Sequence, residues 1–398
     1  MTDHPQVPAR ELETRLARLR AAMDAHDPAW QLILINHKIN MYYLTGTMQD
    51  GVLAVTPDSA TLWVRRWYPR AAEESLFGDI RPMRSFRELA AAFPAVPETV
   101  YLEEKTATLE WLGLVRKYLP FEQHKPVGPV LNGLRAVKSA YEIGCMERSG
   151  ALHAGLIEEY APALLTPGVS EAAVSAELLR EALARGAMGV ARFNQSLGED
   201  VAGLVSFGES ALALSAFDGP GGTRGTCLAM PGIGSPRRAL GAGDLALLDF
   251  PCAVEGYHTD KSVVYHCGEL NRNPHADEIR AAYALCAELE ARAAEQLRPG
   301  ALPEEVWQSA LAAVSERWRE GFMNGGKFLG HSIGLTMDEP PVLARSFRAP
   351  LEPGMTFAVE PKIALPGVGL VGTENTYLVQ ENGPARNLTG RILPLTEL

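Results

Sequence analysis

The chain has few cysteines, five in 398 residues. Cys145, Cys227, Cys252, Cys267 and Cys286 are odd in number and scattered without a CxxC pair, which excludes a disulfide framework and a zinc knuckle and fits a reducing compartment. They read as small buried apolar residues. No apolar run approaches the roughly 18 to 20 residues that span a bilayer, and Met1 to Arg10 lacks the apolar region of a secretory signal. The expectation is a soluble, cytoplasmic protein without a membrane partner. There is no block of one charge sign either: 37 lysines and arginines against 48 aspartates and glutamates leave a net charge of −11. Nucleic acid is not expected as a partner, because displacing its counterions needs concentrated positive charge. Tandem repeats and low-complexity tracts are absent.

What is present suffices for one large or two ordinary domains: 398 residues, 46% of them hydrophobic. Leu12, Leu16, Leu19, Ala22 and Met23 recur at helical spacing, predicting an amphipathic helix over 10–25. Short apolar runs at 32–35, 52–55, 61–64 and 99–102 alternate with expected helices near 70–76, 86–92 and 109–118, the pattern of an α/β domain. Residues 121–133 turn rich in proline and glycine, and a domain boundary is placed at 135–138, giving domains 1–135 and 136–398. Helices are expected over 139–163, opened by a Ser139/Glu142 capping box, and over 170–187, opened by Ser170. Further helices fit 274–296 and 303–319, and strands fit 244–249, 262–266, 355–360 and 371–379.

Four carboxylates sit where a core-bound strand rarely carries charge, because burying one unpaired costs several kcal/mol. Asp249 ends the run Leu245-Ala246-Leu247-Leu248, and Asp260 follows the turn Glu255-Gly256-Tyr257. Glu360 ends Met355-Thr356-Phe357-Ala358-Val359, and Glu374 follows the turn Pro366-Gly367. Two paired strands, each holding an acid, therefore occur twice. Singly, each acid reads as a strand-end residue. Together with His331 in Gly330-His331-Ser332-Ile333-Gly334 they form a donor set suited to one or two divalent cations.

These residues resemble the motifs of the creatinase, aminopeptidase P and methionine aminopeptidase family, the metallohydrolases of pita-bread fold. Asp249 and Asp260 with Gly256-Tyr257, the histidine segment followed by Glu339 and Pro341, Leu351-Glu352-Pro353-Gly354-Met355 leading to Glu360-Pro361, and Glu374 all match. Asn40-Met41-Tyr42-Tyr43-Leu44-Thr45-Gly46 and Arg135-x-x-Lys138-Ser139-x-x-Glu142 resemble the prolidase and creatinase branch. The resemblance implies an α/β (α+β) chain: a creatinase-like, non-catalytic N-terminal domain followed by a pita-bread catalytic domain, assembled as a homodimer. It implies two divalent metal ions per subunit (manganese, cobalt, zinc or iron), with Asp249, Asp260, His331, Glu360 and Glu374 as ligands and Glu360 also as general base. It puts Tyr257 and Asp338 at the substrate.

The departures fall where substrate and protons are handled. Asp338 stands where the peptidases usually carry a second histidine, Met230 to Gly234 where the aminopeptidases carry another, Gly372 at a frequent arginine position and Asn375 where aspartate is common. Asp338 then reads as a structural acid or a proton shuttle, and His258, close to Asp260, as a surface-turn histidine or an alternative proton donor. The glycine-rich stretch Asp218 to Gly222 lacks the following lysine of a phosphate loop and reads as a loop at the pocket mouth. His37, His124, His153, His266 and His275 read as structural or exposed. The expected function is an Xaa-Pro-type metallopeptidase cleaving a small peptide or amide C–N bond by a metal-activated water. The alternatives are a non-peptidase of the same fold, acting on a cyclic amidine or guanidino compound or as a lyase, and a binding module without catalysis.

Overall fold

Residues 32–35 and 52–55 are apolar at every position, the signature of strands covered on both faces. In the computed structural model, which describes residues 4–193, 203–215 and 219–398, they lie in the middle of a sheet. Asp218 of the glycine-rich stretch lies outside the described residues. The chain divides into two compact units, Met1–Arg135 and Ala136–Leu398.

The first unit runs α1 (Ala9–His26), β1 (Ile33–Ile35), α2 (Lys38–Thr45), β2 (Gly51–Val55), β3 (Ala60–Val64), α3 (Tyr68–Glu74), β4 (Ile80–Pro82), α4 (Phe86–Ala91), β5 (Thr99–Leu102), α5 (Leu109–Arg116), β6 (Gln123–Pro126) and α6 (Gly128–Ala136). Its strands form one mixed sheet in the order β4-β3-β2-β1-β5-β6. Leu32, Leu34, Val52, Ala54, Val100 and Leu102 pack with Phe86, Leu89 and Val115, so α4 and α5 cover one face. Ile33, Ile35, Leu53 and Val55 are equally buried on the other. The Asn40 motif lies in α2 as a polar clasp: Asn40 donates to Glu103 at 2.7 Å and accepts from Arg135 at 2.9 Å. Segment 121–133, rich in proline and glycine, holds β6 and most of α6. An edge strand tolerates Pro126, and Pro129 sits in the first helical turn, where no N–H is missed.

The second unit opens on α7 (Ala140–Ala154), capped reciprocally by Ser139 and Glu142. The expected helix over 139–163 continues as a π turn, Gly155–Tyr160, and a 3-10 turn, Ala161–Leu164. Then come α8 (Glu171–Ala184), β7 (Leu204–Phe207), β8 (Leu245–Asp249), β9 (Cys252–Val254), β10 (Tyr257–Thr259), β11 (Ser262–His266), α9 (Ala276–Gln296), α10 (Pro303–Ala313) and α11 (Glu316–Arg319). The helix expected over 303–319 is two, because Val314 is extended. The unit closes with β12 (Phe328–Ser332), β13 (Glu339–Ala344), β14 (Thr356–Val359), β15 (Lys362–Leu365), β16 (Gly369–Gly372), β17 (Asn375–Leu378), β18 (Arg386–Asn387) and β19 (Thr396–Glu397).

Two long hairpins organise this unit. β8 pairs with β11 through Asp249 and Ser262, and the same register resumes beyond a break in β9 and β10, where Cys252 faces Thr259. β14 pairs with β17 through Val359 and Asn375, and again the register resumes in β15 and β16, where Lys362 faces Gly372. The strand expected over 371–379 is therefore two strands in two sheets. The first hairpin turns on Glu255 and Gly256, both at positive φ (52° and 88°), the requirement of a tight type I′ turn. Helix α8 and the turns after α7 pack on β7, β8 and β11, while α9 and α10 pack on the second hairpin.

His153 of α7 ties the first hairpin down, its Nδ1 lying 3.1 Å from Thr259 Oγ1. Burial, helped by the Lys261 charge, lowers its pKa from 6.5 to about 3. Below pH 6.5 the unfolded chain takes up a proton that the folded chain refuses, so stability falls as pH falls. Between pH 6.5 and pH 4 this histidine is expected to remove about 3 kcal/mol. Urea titrations at both pH values should show that much less loss in His153→Gln; equal losses would refute the assignment.

Candidate active site

Each of the four carboxylates sits at a break in a hairpin ladder. Asp249 ends β8, Asp260 lies between β10 and β11, Glu360 between β14 and β15, and Glu374 between β16 and β17. A break turns these side chains away from the regular pleat while the unbroken register keeps the two strands opposed. An isolated bridge between Ser262 and Glu374 then joins the two hairpins, and the backbone of Asp260 is held by Thr376, whose hydroxyl accepts its N–H at 2.8 Å. His331 enters from β12, opposite Ala358 of β14. Its neighbour must be glycine: a Cβ on Gly330 would lie 2.0 Å from the Ala358 carbonyl. Asp260, His331 and Glu374 bring one donor atom each within 4.8 Å of one another, and His331 Nε2 lies 3.5 Å from Glu360 Oε1.

The cluster carries more negative charge than the protein itself neutralises. The fully buried Lys362 ammonium reaches Glu374 Oε2 at 2.7 Å, Glu360 Oε2 at 2.8 Å and Asp249 Oδ2 at 3.5 Å. Burial alone would lower its pKa, but Asp249, Glu360 and Glu374 hold it well above the ordinary lysine value. Even so, burial pushes Asp249 up to about 6 against the pull of Lys362, and burial with the charges of Glu374, Asp249 and Glu360 pushes Asp260 well above the carboxylate range. Glu374 Oε2 also accepts the Ser262 hydroxyl at 2.5 Å, whereas its Oε1 is buried without a partner. An orphaned carboxylate oxygen beside a second acid and an imidazole is the donor set a divalent cation satisfies.

Residues 144–381 match the family described as Metallopeptidase family M24, and residues 15–137 match the Creatinase/Prolidase N-terminal domain. The chain belongs to metallopeptidase family M24. It is similar to an Xaa-Pro dipeptidase of Pyrococcus horikoshii, 26% identical over 363 residues that cover 89% of this chain and 91% of that one. It is also similar to a probable dipeptidase PepE of Mycobacterium tuberculosis, 30% identical over 256 residues, 64% of this chain and 59% of the relative. The prolidase structure from Pyrococcus horikoshii OT3 superimposes with a TM-score of 0.80 at 23% identity, covering 96% and 99% of the two chains. The Xaa-Pro dipeptidase structure from Bacillus anthracis does so with 0.81 at 23%, covering 97% and 100%. These structures share the fold: a creatinase-like N-terminal domain before an M24 domain. The protein is a peptidase-type hydrolase of a metal-dependent family.

Within the M24 domain a pocket of about 80 Å³ opens onto the cluster, lined by Asp249, Asp260, His331 and Glu360 together with Asp338, Gly232, Phe193 and Met337. Two of the candidate residues, Tyr257 and His258, are not among those lining this pocket. Tyr257 is buried against Tyr141, ring edge to ring face at 6.5 Å, and does not line the pocket. His258 is fully buried rather than in a surface turn: its Nδ1 lies 3.0 Å from the Gly334 carbonyl and its Nε2 accepts the Arg192 N–H at 3.2 Å. Burial lowers its pKa to about 4, and its two ring nitrogens link two backbone segments. Cys227 differs from the other cysteines in being exposed.

Sequence reasoning passed over Lys362 and Ser262, which both contact Glu374. The signal for Lys362 was of the same kind that singled out the acids: one charge within the apolar stretch after Glu360-Pro361.

Proposed function

We propose that this M24 protein hydrolyses the C–N bond of Xaa-Pro peptides, with Asp260, His331 and Glu374 holding a catalytic divalent cation and Asp249 and Glu360 completing the cluster. The observation that carries the reading is the cation-ready donor set of Asp260, His331 and Glu374, the first two of which line the pocket, in a chain similar over most of its length to an Xaa-Pro dipeptidase. Manganese, cobalt, zinc and iron all suit such donors. A cation there would lower the pKa of a water molecule and polarise the scissile carbonyl. Glu360, with Oε1 turned toward His331, is the carboxylate beside the cluster able to take the proton of that water. Asp338, in the pocket wall, is the group available to return a proton to the leaving nitrogen.

One observation favours a second reading, a hydrolase of a small non-peptide amide or amidine. His331 is the only histidine among the described residues lining the pocket, with Asp338 and Gly232 present instead of further imidazoles. The test is product detection by mass spectrometry after incubating the protein, loaded in turn with each of the four metals, with Xaa-Pro dipeptides, longer Xaa-Pro peptides and non-proline controls. Metal-dependent release of the N-terminal residue from Xaa-Pro substrates alone is expected. A fully metallated protein inert to every peptide would refute the first reading in favour of the second.

A further inference from the structure

The metal-ligand motifs count enough donors for two ions, but the space between them is not free for two. Lys362 puts an ammonium against Asp249, Glu360 and Glu374 at 3.5, 2.8 and 2.7 Å. We propose that the Lys362 ammonium stands in place of one of the two cations, so that each subunit binds a single divalent ion, on Asp260, His331 and Glu374. This rests on the proposed metal-dependent reading of the same site.

Three observations carry it. For Glu374 to link two ions through its two oxygens both would have to be available, yet Oε2 already accepts from the Lys362 ammonium at 2.7 Å and the Ser262 hydroxyl at 2.5 Å. Only Oε1 lacks a partner, which leaves Glu374 a single open oxygen on the side of Asp260 and His331. Charge balance agrees: two divalent ions would already neutralise the four carboxylates and leave Lys362 as an uncompensated buried cation, which is strongly unfavourable. Finally, the lysine has room only because residue 372 has no side chain, since a Cβ on Gly372 would lie 2.6 Å from Lys362 Cγ. Gly372 and Lys362 face each other across the β15–β16 ladder, so the missing side chain and the inserted ammonium form one substitution in space. Lys362 is thus a positioning residue for the cluster. It fixes Glu360 and Glu374 by charge-assisted hydrogen bonds, which do not exchange with solvent ions as a metal would.

The test counts ions and does not depend on turnover. Metal-free protein is equilibrated with excess manganese(II), freed of unbound metal by gel filtration, analysed by elemental mass spectrometry and examined by electron paramagnetic resonance. Wild type is expected to hold one ion per subunit with the spectrum of an isolated manganese(II). Lys362→Met, similar in length and uncharged, is expected to hold two, with the broadened spectrum of a coupled pair. Two ions in wild type would overturn the proposal while leaving the metal-dependent reading standing. No ion in wild type would remove both. One ion in a folded Lys362→Met protein would show that the lysine is not what excludes the second, and would also overturn it. If that variant does not fold, the wild-type count and spectrum still decide.

Discussion

Asp260→Ala protein is expected to lose hydrolysis by about 10³-fold or more while keeping its circular dichroism spectrum and its unfolding midpoint close to wild type. The size follows from the several kcal/mol of transition-state stabilisation that a positioned divalent ion supplies. Asp260 is one of the three residues whose donors converge within 4.8 Å, and burial with three neighbouring acids pushes its pKa well up. Removing it relieves repulsion in the metal-free fold, so the loss should fall on catalysis and metal retention and not on stability. Steady-state kinetics on the best substrate of the peptide panel, with the metal content of the dialysed protein measured alongside, checks this. Turnover within tenfold of wild type would mean that the cluster is not where chemistry occurs.

Glu171→Ala is expected to act in the opposite way, lowering stability by roughly 3 to 5 kcal/mol without touching the cluster, because it strands buried polar groups. Glu171 opens α8 and is completely buried. Its Oε1 accepts the Phe207 N–H at 2.8 Å, and its Oε2 accepts the Ser235 N–H at 2.8 Å and the Thr223 hydroxyl at 3.3 Å. One side chain therefore ties β7 to the chain segment that carries Gly232 into the pocket wall. Truncation leaves two buried backbone donors unpaired, whereas Glu171→Gln keeps an acceptor oxygen and should lose less than half as much. Urea unfolding of the three proteins gives the comparison. A truncated variant within 1 kcal/mol of wild type would contradict the role assigned to this acid.

The acids were legible because charge within an apolar run is costly wherever it occurs, so Asp249, Asp260, Glu360 and Glu374 announced themselves without a structure. The strands carrying them were legible from apolar runs and the helices from periodicity. Helix ends were less so: the pitch change after Ala154 and the break at Val314 depend on what each turn packs against. The elements within segment 121–133 were not legible, because proline and glycine report only a departure from mid-strand or mid-helix geometry, which an edge strand and a helix start satisfy as well as a turn does.

His258 illustrates the limit. Adjacent in sequence to a candidate ligand, it reads as a proton donor, yet in space both ring nitrogens are used by the Gly334 carbonyl and the Arg192 amide. Sequence proximity carries no information about which face of a strand meets which loop. Nor did it show that Tyr257 packs against Tyr141.

By itself, then, the sequence determined the fold class, the family motifs and which residues are chemically able to bind a cation, because these follow from residue type, periodicity and spacing. Only the tertiary structure decided which oxygens of the cluster remain unsatisfied. That depends on where Lys362 ends, and its path is set by a neighbour across the ladder, Gly372, whose distance in space no spacing along the chain encodes.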